Sequence, residues 1–173
     1  IAVLEAGGKP VLVDCDLSTW CMIPNEIEKK ITKKTKAILV VHMFGHPADM
    51  DKINQVVQGK KIFIIEDAAE AHGSKYKNKN VGSFGYISCF SFYVNKLITT
   101  GEGGMALTND KKIFHRMKNL RNLAFNNSQR FSHNEIGYNY RITNIQAAVG
   151  LSQLEKLHEH IKIKRKNTLL YNQ

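Results

Sequence analysis

Residues 61–73 read Lys-Ile-Phe-Ile-Ile-Glu-Asp-Ala-Ala-Glu-Ala-His-Gly, an apolar run that ends in two acids followed by small residues. The first part, residues 61–66, has the length and the β-branched content of a strand that is buried on both faces. Strands of this kind occur in mostly parallel sheets that are covered by helices. In such sheets the functional residues lie beyond the carboxyl ends of the strands, which directs attention to residues 66–73.

The rest of the chain alternates strand and helix patterns around this run. We predict further strands at residues 10–14, 36–43, 86–92 and 105–108, and helices at 25–33, from Asp49 or Asp51 to 57, and from Asn109 or Asp110 to about 120. After a polar loop at 122–140, Thr143 opens an amphipathic helix that would be about 45 Å long if it continued to Gln173. The order predicts an α/β fold with a mostly parallel sheet flanked by helices.

The composition is that of a globular protein and excludes several other classes. The chain has 173 residues, of which 43% are hydrophobic, enough for one packed domain. No run reaches the roughly 20 apolar residues of a membrane span. The three cysteines form no C-x-x-C pattern, so we expect a reducing, cytoplasmic setting and no metal site. The sequence predicts a soluble globular protein.

Both ends of the sequence are abrupt. It opens with Ile-Ala-Val-Leu-Glu-Ala-Gly-Gly, without a methionine or a targeting signal, and it closes in a helical pattern that has no stop signal. We therefore expect a fragment of a longer chain.

A second candidate segment surrounds Lys96. This lysine follows the apolar strand at 86–92 and precedes the glycine-rich turn at 101–104. A lysine at such a place either extends its amine into solvent or serves as an amine for Schiff-base chemistry. Asp67 has two interpretations as well, a ligand or the N-cap of a short helix over 68–71. The nucleotide-binding patterns G-x-G-x-x-G and G-x-x-x-x-G-K-[ST] do not occur. The sequence therefore lacks the main evidence for a nicotinamide-dependent enzyme or a nucleoside-triphosphatase.

Five segments, taken together and in order, are similar to one family. They are Gly-Lys-Pro-Val-Leu-Val-Asp at 8–14, Pro-Ala-Asp-Met-Asp at 47–51, the acidic segment at 66–73, the block at 90–105, and Gly-Tyr-Asn-Tyr-Arg-Ile-Thr-Asn-Ile-Gln-Ala-Ala-Val-Gly at 137–150. They resemble the DegT/DnrJ/EryC1/StrS sugar aminotransferases, enzymes of fold type I that depend on pyridoxal 5'-phosphate (PLP). The block at 91–104 is most similar to the perosamine-synthase branch. The resemblance implies that residues 1–142 form part of a PLP-binding large domain, and that 143–173 form a long helix leading toward a C-terminal small domain.

The resemblance also implies roles for single residues. Lys96 would bind the cofactor covalently and then move a proton as acid and base. Asp67 would face the pyridine nitrogen, and Glu70 would lie near the ring oxygen. Ser91 would donate a hydrogen bond to the cofactor phosphate. Asn139 would reach that phosphate from the neighbouring subunit, which requires a homodimer with shared active sites.

The reaction implied is transamination of a nucleotide-linked 4-keto-6-deoxysugar to a perosamine-like amino sugar, with glutamate as the amino donor. No nucleic-acid or membrane partner is expected. The family's N-terminal phosphate-binding turn and its stacking aromatic residue do not occur in these 173 residues. We therefore expect this chain to carry only part of the cofactor site, and the activity to belong to the intact parent protein.

Two alternatives stay open. A sugar dehydratase of the same family would use the same cofactor, but those relatives have histidine where this chain has Lys96. A basic nucleic-acid-binding module is suggested by the net charge of +10 and by a cluster in the last helix, comprising Lys162, Lys164, Arg165 and Lys166. The other lysines are dispersed, and neither a helix-turn-helix nor an RNP pattern appears.

Overall fold

The computed structural model describes residues 1–125, 131–133 and 135–173. These residues form helices α1 (Ala2–Glu5), α2 (Pro24–Lys30), α3 (Met50–Val57), α4 (Lys111–Leu120), α5 (Asn144–Leu154) and α6 (Leu157–Tyr171). They also form strands β1 (Ala37–Val41), β2 (Phe63–Asp67), β3 (Lys75–Tyr76), β4 (Lys79–Asn80), β5 (Ile87–Ser91) and β6 (Gly104–Leu107). Of the polar loop predicted at 122–140, residues 126–130 and 134 lie outside the described part.

Four strands form the main sheet, in the order β1-β2-β5-β6. β1, β2 and β5 are parallel, whereas β6 runs antiparallel to β5. The register places Asp67 between Val41 of β1 and Cys89 of β5. The predicted α/β class with a mostly parallel sheet is confirmed. β3 and β4 form a separate two-stranded hairpin.

The core lies between one face of the sheet and the helices α2 and α3. Its buried members are Cys21, Ile27, Ile38, Val40, Ala48, Met50, Ile53, Val56 and Ile64. α3 begins where the sequence predicts, because the Asp49 side chain caps it by accepting a hydrogen bond from the Lys52 N–H at 3.1 Å. The buried side of α3, with Met50, Ile53 and Val56, packs into this core.

The opposite face of β1 and β2 is not covered to the same extent. Ile38 and Val40 are buried, but Leu39 between them is exposed, and Phe63 is exposed in β2. The prediction that these strands are buried on both faces is therefore wrong for this chain. The reason is that successive side chains of a strand point to opposite faces, and α2 and α3 cover only one of them.

A buried carboxylate, Glu66 of β2, connects this covered face to the neighbouring loops. Its side chain has no exposure to solvent. Oε2 accepts hydrogen bonds from Nε2 of His42 at 3.1 Å and from the Gly82 N–H at 2.7 Å. Oε1 accepts from the N–H groups of Phe84 at 2.7 Å and Gly85 at 2.5 Å. Four donors therefore converge on one carboxylate.

The proton positions follow from the partners of the histidine. Nδ1 of His42 accepts a hydrogen bond from the Ala48 N–H at 3.1 Å, so the proton of the neutral ring lies on Nε2 and points at Glu66. Burial by itself would raise the pKa of Glu66, but the hydrogen bonds from His42 and from the three backbone N–H groups hold it below its ordinary value. Glu66 is thus a stable anion inside the protein.

Glycine at position 85 permits this arrangement. A β-carbon there would lie 2.9 Å from the Ile64 carbonyl oxygen and 3.2 Å from Cγ of Glu66. A side chain would push the loop away from β2 and lengthen the hydrogen bonds to the carboxylate.

Two segments differ from their predicted structure. Residues 10–14, all of them described, contain no strand, and Val11 and Leu12 are 60% and 85% exposed. An apolar triplet is not enough for a strand when no neighbouring strand pairs with it along its length. The C-terminal pattern forms two helices, α5 and α6, because the chain turns at residues 155–156, where Lys156 has φ −99° and ψ 8°.

Thr143 opens α5 as predicted, through a capping box with Gln146. Whether 1–142 and 143–173 belong to separate domains of a larger protein stays a prediction. Within the described residues, none of the helices is both long enough and apolar enough to cross a membrane.

The Glu66 network predicts a pH-dependent loss of stability. Replacing Glu66 by Gln in the full-length protein should lower the free energy of unfolding at pH 7 by about 2–4 kcal/mol, since a neutral amide leaves buried N–H donors poorly paired. The pKa of Glu66 is lower in the folded state than its unfolded value of about 4.3. The wild-type advantage should therefore be complete above that value and shrink as the pH falls through the folded pKa.

Urea denaturation at several pH values between 7 and 3 measures this difference. Glu28→Gln, at an exposed position of α2, is the matched control and should change stability little. A wild-type advantage that stays constant over this pH range would contradict the assignment of Glu66 as a buried anion.

Candidate active site

The candidate site lies at the carboxyl edge of the parallel strands. Asp67 is the last residue of β2, and Ser91 is the last residue of β5. The loop 92–103 joins β5 to β6 and carries Lys96 at the same edge. Sheets of this type place ligands at this edge, so the sequence and the topology indicate one location.

Asp67 faces away from the Glu66 network, because adjacent residues of a strand point to opposite sides of the sheet. It is partly buried, and its Oδ1 accepts a hydrogen bond from the Ala69 N–H at 3.1 Å. Residues 68–74, all described, form turns and no helix, so the interpretation of Asp67 as a helix N-cap is wrong. Burial, and then the charge of Asp67, raise the pKa of the neighbouring Cys89 thiol.

Lys96 points into the protein and not into solvent. Its side chain is 16% exposed, and Nζ lies 3.4 Å from Oε1 of Glu70. The second oxygen of Glu70 accepts a hydrogen bond from the Phe44 N–H at 2.9 Å. Glu70 therefore connects the lysine to the segment after β1, and the interpretation of Lys96 as a lysine extended into solvent is excluded by its burial.

The start of the lysine loop is ordered by its own hydrogen bonds. Oγ of Ser91 accepts from the Tyr93 N–H at 3.2 Å, and the Lys96 N–H donates to the Tyr93 carbonyl at 3.0 Å. The Phe92 carbonyl accepts from Oγ1 of Thr99 at 2.9 Å. The loop thus closes on itself around Lys96.

His72 is a residue of this region that the sequence analysis did not single out. It is buried, and its ring lies 5.5 Å from the ring of Phe90 and 6.0 Å from that of Phe92. Burial holds the pKa of its imidazole below the ordinary value, which favours the neutral ring. The available signal was its position in the motif at 66–73, immediately before a glycine.

Asn139 lies apart from the other candidates. It is exposed, and its backbone forms an isolated antiparallel bridge with Asn122 at the end of α4. Among the described residues, its side chain makes no hydrogen bond to Asp67 or Lys96. The structure therefore places Asp67, Ser91 and the Lys96–Glu70 pair at one edge, and leaves Asn139 outside that group.

Comparison with known proteins identifies a family for this chain. The model of the DegT/DnrJ/EryC1/StrS aminotransferase family matches residues 1–173. The chain belongs to this family. A GDP-perosamine synthase from Escherichia coli O157:H7 is 50% identical to it over 170 residues, which are 98% of this chain and 47% of that protein. The chain thus spans about half the length of the family members that it matches.

Solved structures of similar proteins have the same fold. The aminotransferase from Psychrobacter cryohalolentis is 37% identical, with a TM-score of 0.83 over 90% of this chain and 42% of that one. The E. coli GDP-4-keto-6-deoxy-D-mannose-3-dehydratase with bound hydrated PLP is 30% identical, with a TM-score of 0.89 over 96% of this chain and 47% of that one. The predicted α/β fold of an incomplete fold type I large domain is confirmed.

Members of the DegT/DnrJ/EryC1/StrS family depend on PLP, and the residues at the edge fit that cofactor chemically. PLP requires an amine for covalent attachment, an acid opposite its pyridine nitrogen and hydrogen-bond donors for its phosphate. Lys96 supplies a shielded amine, Asp67 a carboxylate at a strand end, and Ser91 a hydroxyl. All three types of group occur at one edge of the sheet.

Proposed function

We propose that the full-length protein transfers an amino group from glutamate to a nucleotide-linked 4-keto-6-deoxysugar, with GDP as the nucleotide. The observation that carries this proposal is the shielded Lys96–Glu70 pair beside the carboxyl end of β2, in a chain 50% identical to a GDP-perosamine synthase. Glutamate would leave as 2-oxoglutarate, and the keto group would be replaced by an amine. When bound, PLP supplies the electron sink for this transfer.

Lys96 is proposed to bind the cofactor and to move the proton between the two carbons that exchange oxidation state. Its low exposure supports this role, because a shielded amine beside the carboxylate of Glu70 is held in place away from bulk water. Glu70, 3.4 Å away, would orient the amine and face the cofactor's ring oxygen. Its bond to Phe44 limits the movement of the carboxylate.

Asp67 is proposed to hold a proton on the pyridine nitrogen. An anionic carboxylate at this nitrogen keeps the ring cationic, and a cationic ring withdraws electrons more strongly. Ser91 is proposed to donate a hydrogen bond from its hydroxyl to the cofactor phosphate. Its Oγ already accepts from Tyr93, which leaves the hydroxyl hydrogen for an external acceptor.

An assay with the full-length protein tests the reaction. Protein, PLP, glutamate and GDP-4-keto-6-deoxymannose should produce an amino sugar and an equal amount of 2-oxoglutarate, both measurable by mass spectrometry. Lys96→Ala should abolish the product, whereas Lys118→Ala, at an exposed position of α4, should not. Conversion of the keto sugar without any 2-oxoglutarate would refute the proposal.

The dehydratase alternative is less well supported because of one residue, Lys96. The fold does not separate the two reactions, since a dehydratase is as similar in backbone as the aminotransferase is. The side chain at position 96 does separate them, because a lysine can carry the cofactor and a histidine of the dehydratase type cannot form that bond. Release of ammonia from glutamate in the same assay would indicate the dehydratase.

Asp67→Asn should leave the cofactor bound and slow the transfer. Loss of a hydrogen bond between charged groups costs roughly 1.5–3 kcal/mol, and 1.36 kcal/mol corresponds to tenfold in rate. We expect the turnover rate to fall by at least about tenfold, with retained cofactor absorbance. Asp14→Asn is the control, since that exposed aspartate also accepts a hydrogen bond from a neighbouring backbone N–H, at 2.8 Å. Equal rates in wild type and Asp67→Asn would show that Asp67 only shapes a turn.

We further propose that the protein is a homodimer in which Asn139 reaches the cofactor phosphate of the partner. Asn139 lies between Tyr138 and Tyr140, whose rings stack at 5.0 Å and are both exposed. Ile136 in the same segment is also exposed. Adjacent exposed apolar side chains of this size are typical of protein–protein contacts. This segment is therefore a suitable place for a partner subunit.

Subunit exchange tests the shared site. Mixing Lys96→Ala with Asn139→Ala should restore activity above the sum of the two variants, because one site of each heterodimer then contains only native residues. Mixing Lys96→Ala with Asp67→Ala is the control. Those residues are proposed to act within one chain, so neither site becomes complete. If the first mixture stays inactive after exchange has been demonstrated, Asn139 does not act across an interface.

A further inference from the structure

One side of α5 lies against the loop 92–103 that carries Lys96. Gln146, Gly150 and Gln153 are four and three residues apart, a spacing that places them on one face of a helix. Each of them contacts the loop, although the loop precedes α5 by more than forty residues. The two glutamines make hydrogen bonds to the loop, and Gly150 between them allows a close approach of the helix to the loop.

The contact made by Gln153 uses both ends of its carboxamide. Its Oε1 accepts a hydrogen bond from the Thr99 N–H at 3.0 Å, and its Nε2 donates to the Thr99 carbonyl at 2.8 Å. Both groups are partly buried. A single side chain therefore satisfies the complete backbone of Thr99, as a neighbouring strand would.

The other two positions bring the helix close to the loop. Nε2 of Gln146 donates to the Glu102 carbonyl at 3.1 Å. A β-carbon at Gly150 would lie 2.9 Å from Cγ2 of Thr100, so a larger residue would lift α5 away. Because the helix is this close, the carboxamide of Gln153 can reach the loop backbone.

Thr99, which Gln153 holds in place, lies at one end of the part of the loop that contains Lys96. Oγ1 of Thr99 donates to the Phe92 carbonyl at 2.9 Å, and the Thr100 N–H donates to the same carbonyl at 3.0 Å. Residues 93–98 are thus the segment between two joined ends, and Lys96 lies in its middle. Fixing Thr99 fixes where this segment begins and ends.

We propose that Gln153 is a positioning residue for Lys96: its carboxamide, bonded to both backbone groups of Thr99, holds the lysine loop in the conformation that receives the cofactor. The proposal rests on the proposed function in that Lys96 is taken as the cofactor lysine. Glutamine suits this role because it has a donor and an acceptor at the same distance from the backbone, whereas glutamate lacks the donor and methionine lacks both.

The test uses the full-length protein, first without cofactor. Gln153→Met keeps the length of the side chain and removes both hydrogen bonds, while Gln55→Met, at an exposed position of α3, is the matched control. Amide hydrogen exchange is measured for peptides covering 92–103, and for peptides of β1 and β2 as an internal reference. The dissociation constant for PLP is then measured by absorbance titration, with Lys96→Ala alongside.

We expect exchange within 97–101 to become faster by about tenfold in Gln153→Met, since one backbone donor loses its acceptor. Exchange in β1 and β2 should not change. The dissociation constant for PLP should rise by at least about threefold, and Gln55→Met should match the wild type. Gln153→Glu should keep the protection of the Thr99 amide but still weaken PLP binding, because its carboxylate faces the Thr99 carbonyl.

Three results would overturn the proposal. They are unchanged exchange in the loop, faster exchange in β1 and β2 to the same degree, and unchanged PLP affinity despite a looser loop. The second result would make Gln153 a residue of general stability. A failure of the proposed function gives a different pattern. Lys96→Ala would then bind PLP with the wild-type absorbance, whereas Gln153→Met would still show faster exchange in the loop.

Discussion

A carboxylate without access to water, Glu66, connects the parts of this chain that the sheet alone does not hold together. It lies at the next-to-last position of β2 and accepts hydrogen bonds from His42 after β1 and from the loop before β5. Ala48 in turn donates to His42. A buried charge of this kind is strongly destabilising when one of its donors is missing, so the network joins β1, β2 and the loop at 82–85 in the folded protein. The ends of the parallel strands are fixed by this network.

Asp67, the residue after Glu66, lies on the same rigid strand end but faces the candidate site. Asp67 follows Glu66 in the strand and therefore points to the other face of the sheet, where the register places it beside Val41 and Cys89. One acid stabilises the covered face, and its neighbour presents a carboxylate to the candidate site. The loop with Lys96 is held by α5 through Thr99. An amine and a carboxylate on separate elements are thus both attached to rigid structure, as positioned chemistry requires.

The sequence predicts the strands of the sheet and the start of α3 because those features depend on local patterns. Apolar runs mark β1, β2 and β5, and Asp49 and Asp51 are the two candidate caps of α3, of which the structure uses Asp49. Residues 10–14 have a similar pattern but lack a neighbouring strand, a condition that no local window contains. The turn at 155–156 has neither proline nor glycine, so nothing in the sequence announces it. Glu66 gave no distinguishing signal, since it ends the apolar run together with Asp67 and the pattern does not show which of the two acids is buried. The contact of Gln153 with Thr99 gave none, because it joins residues 54 apart.

The central claim is that Lys96, paired with Glu70, is the residue that carries the cofactor. Reduction of the PLP-loaded full-length protein with borohydride makes that attachment permanent, and peptide mapping by mass spectrometry then locates it. We expect a pyridoxyl group on Lys96 in the peptide that follows β5, with the other lysines unmodified. A pyridoxyl group on any other lysine, with Lys96 unmodified, would contradict it.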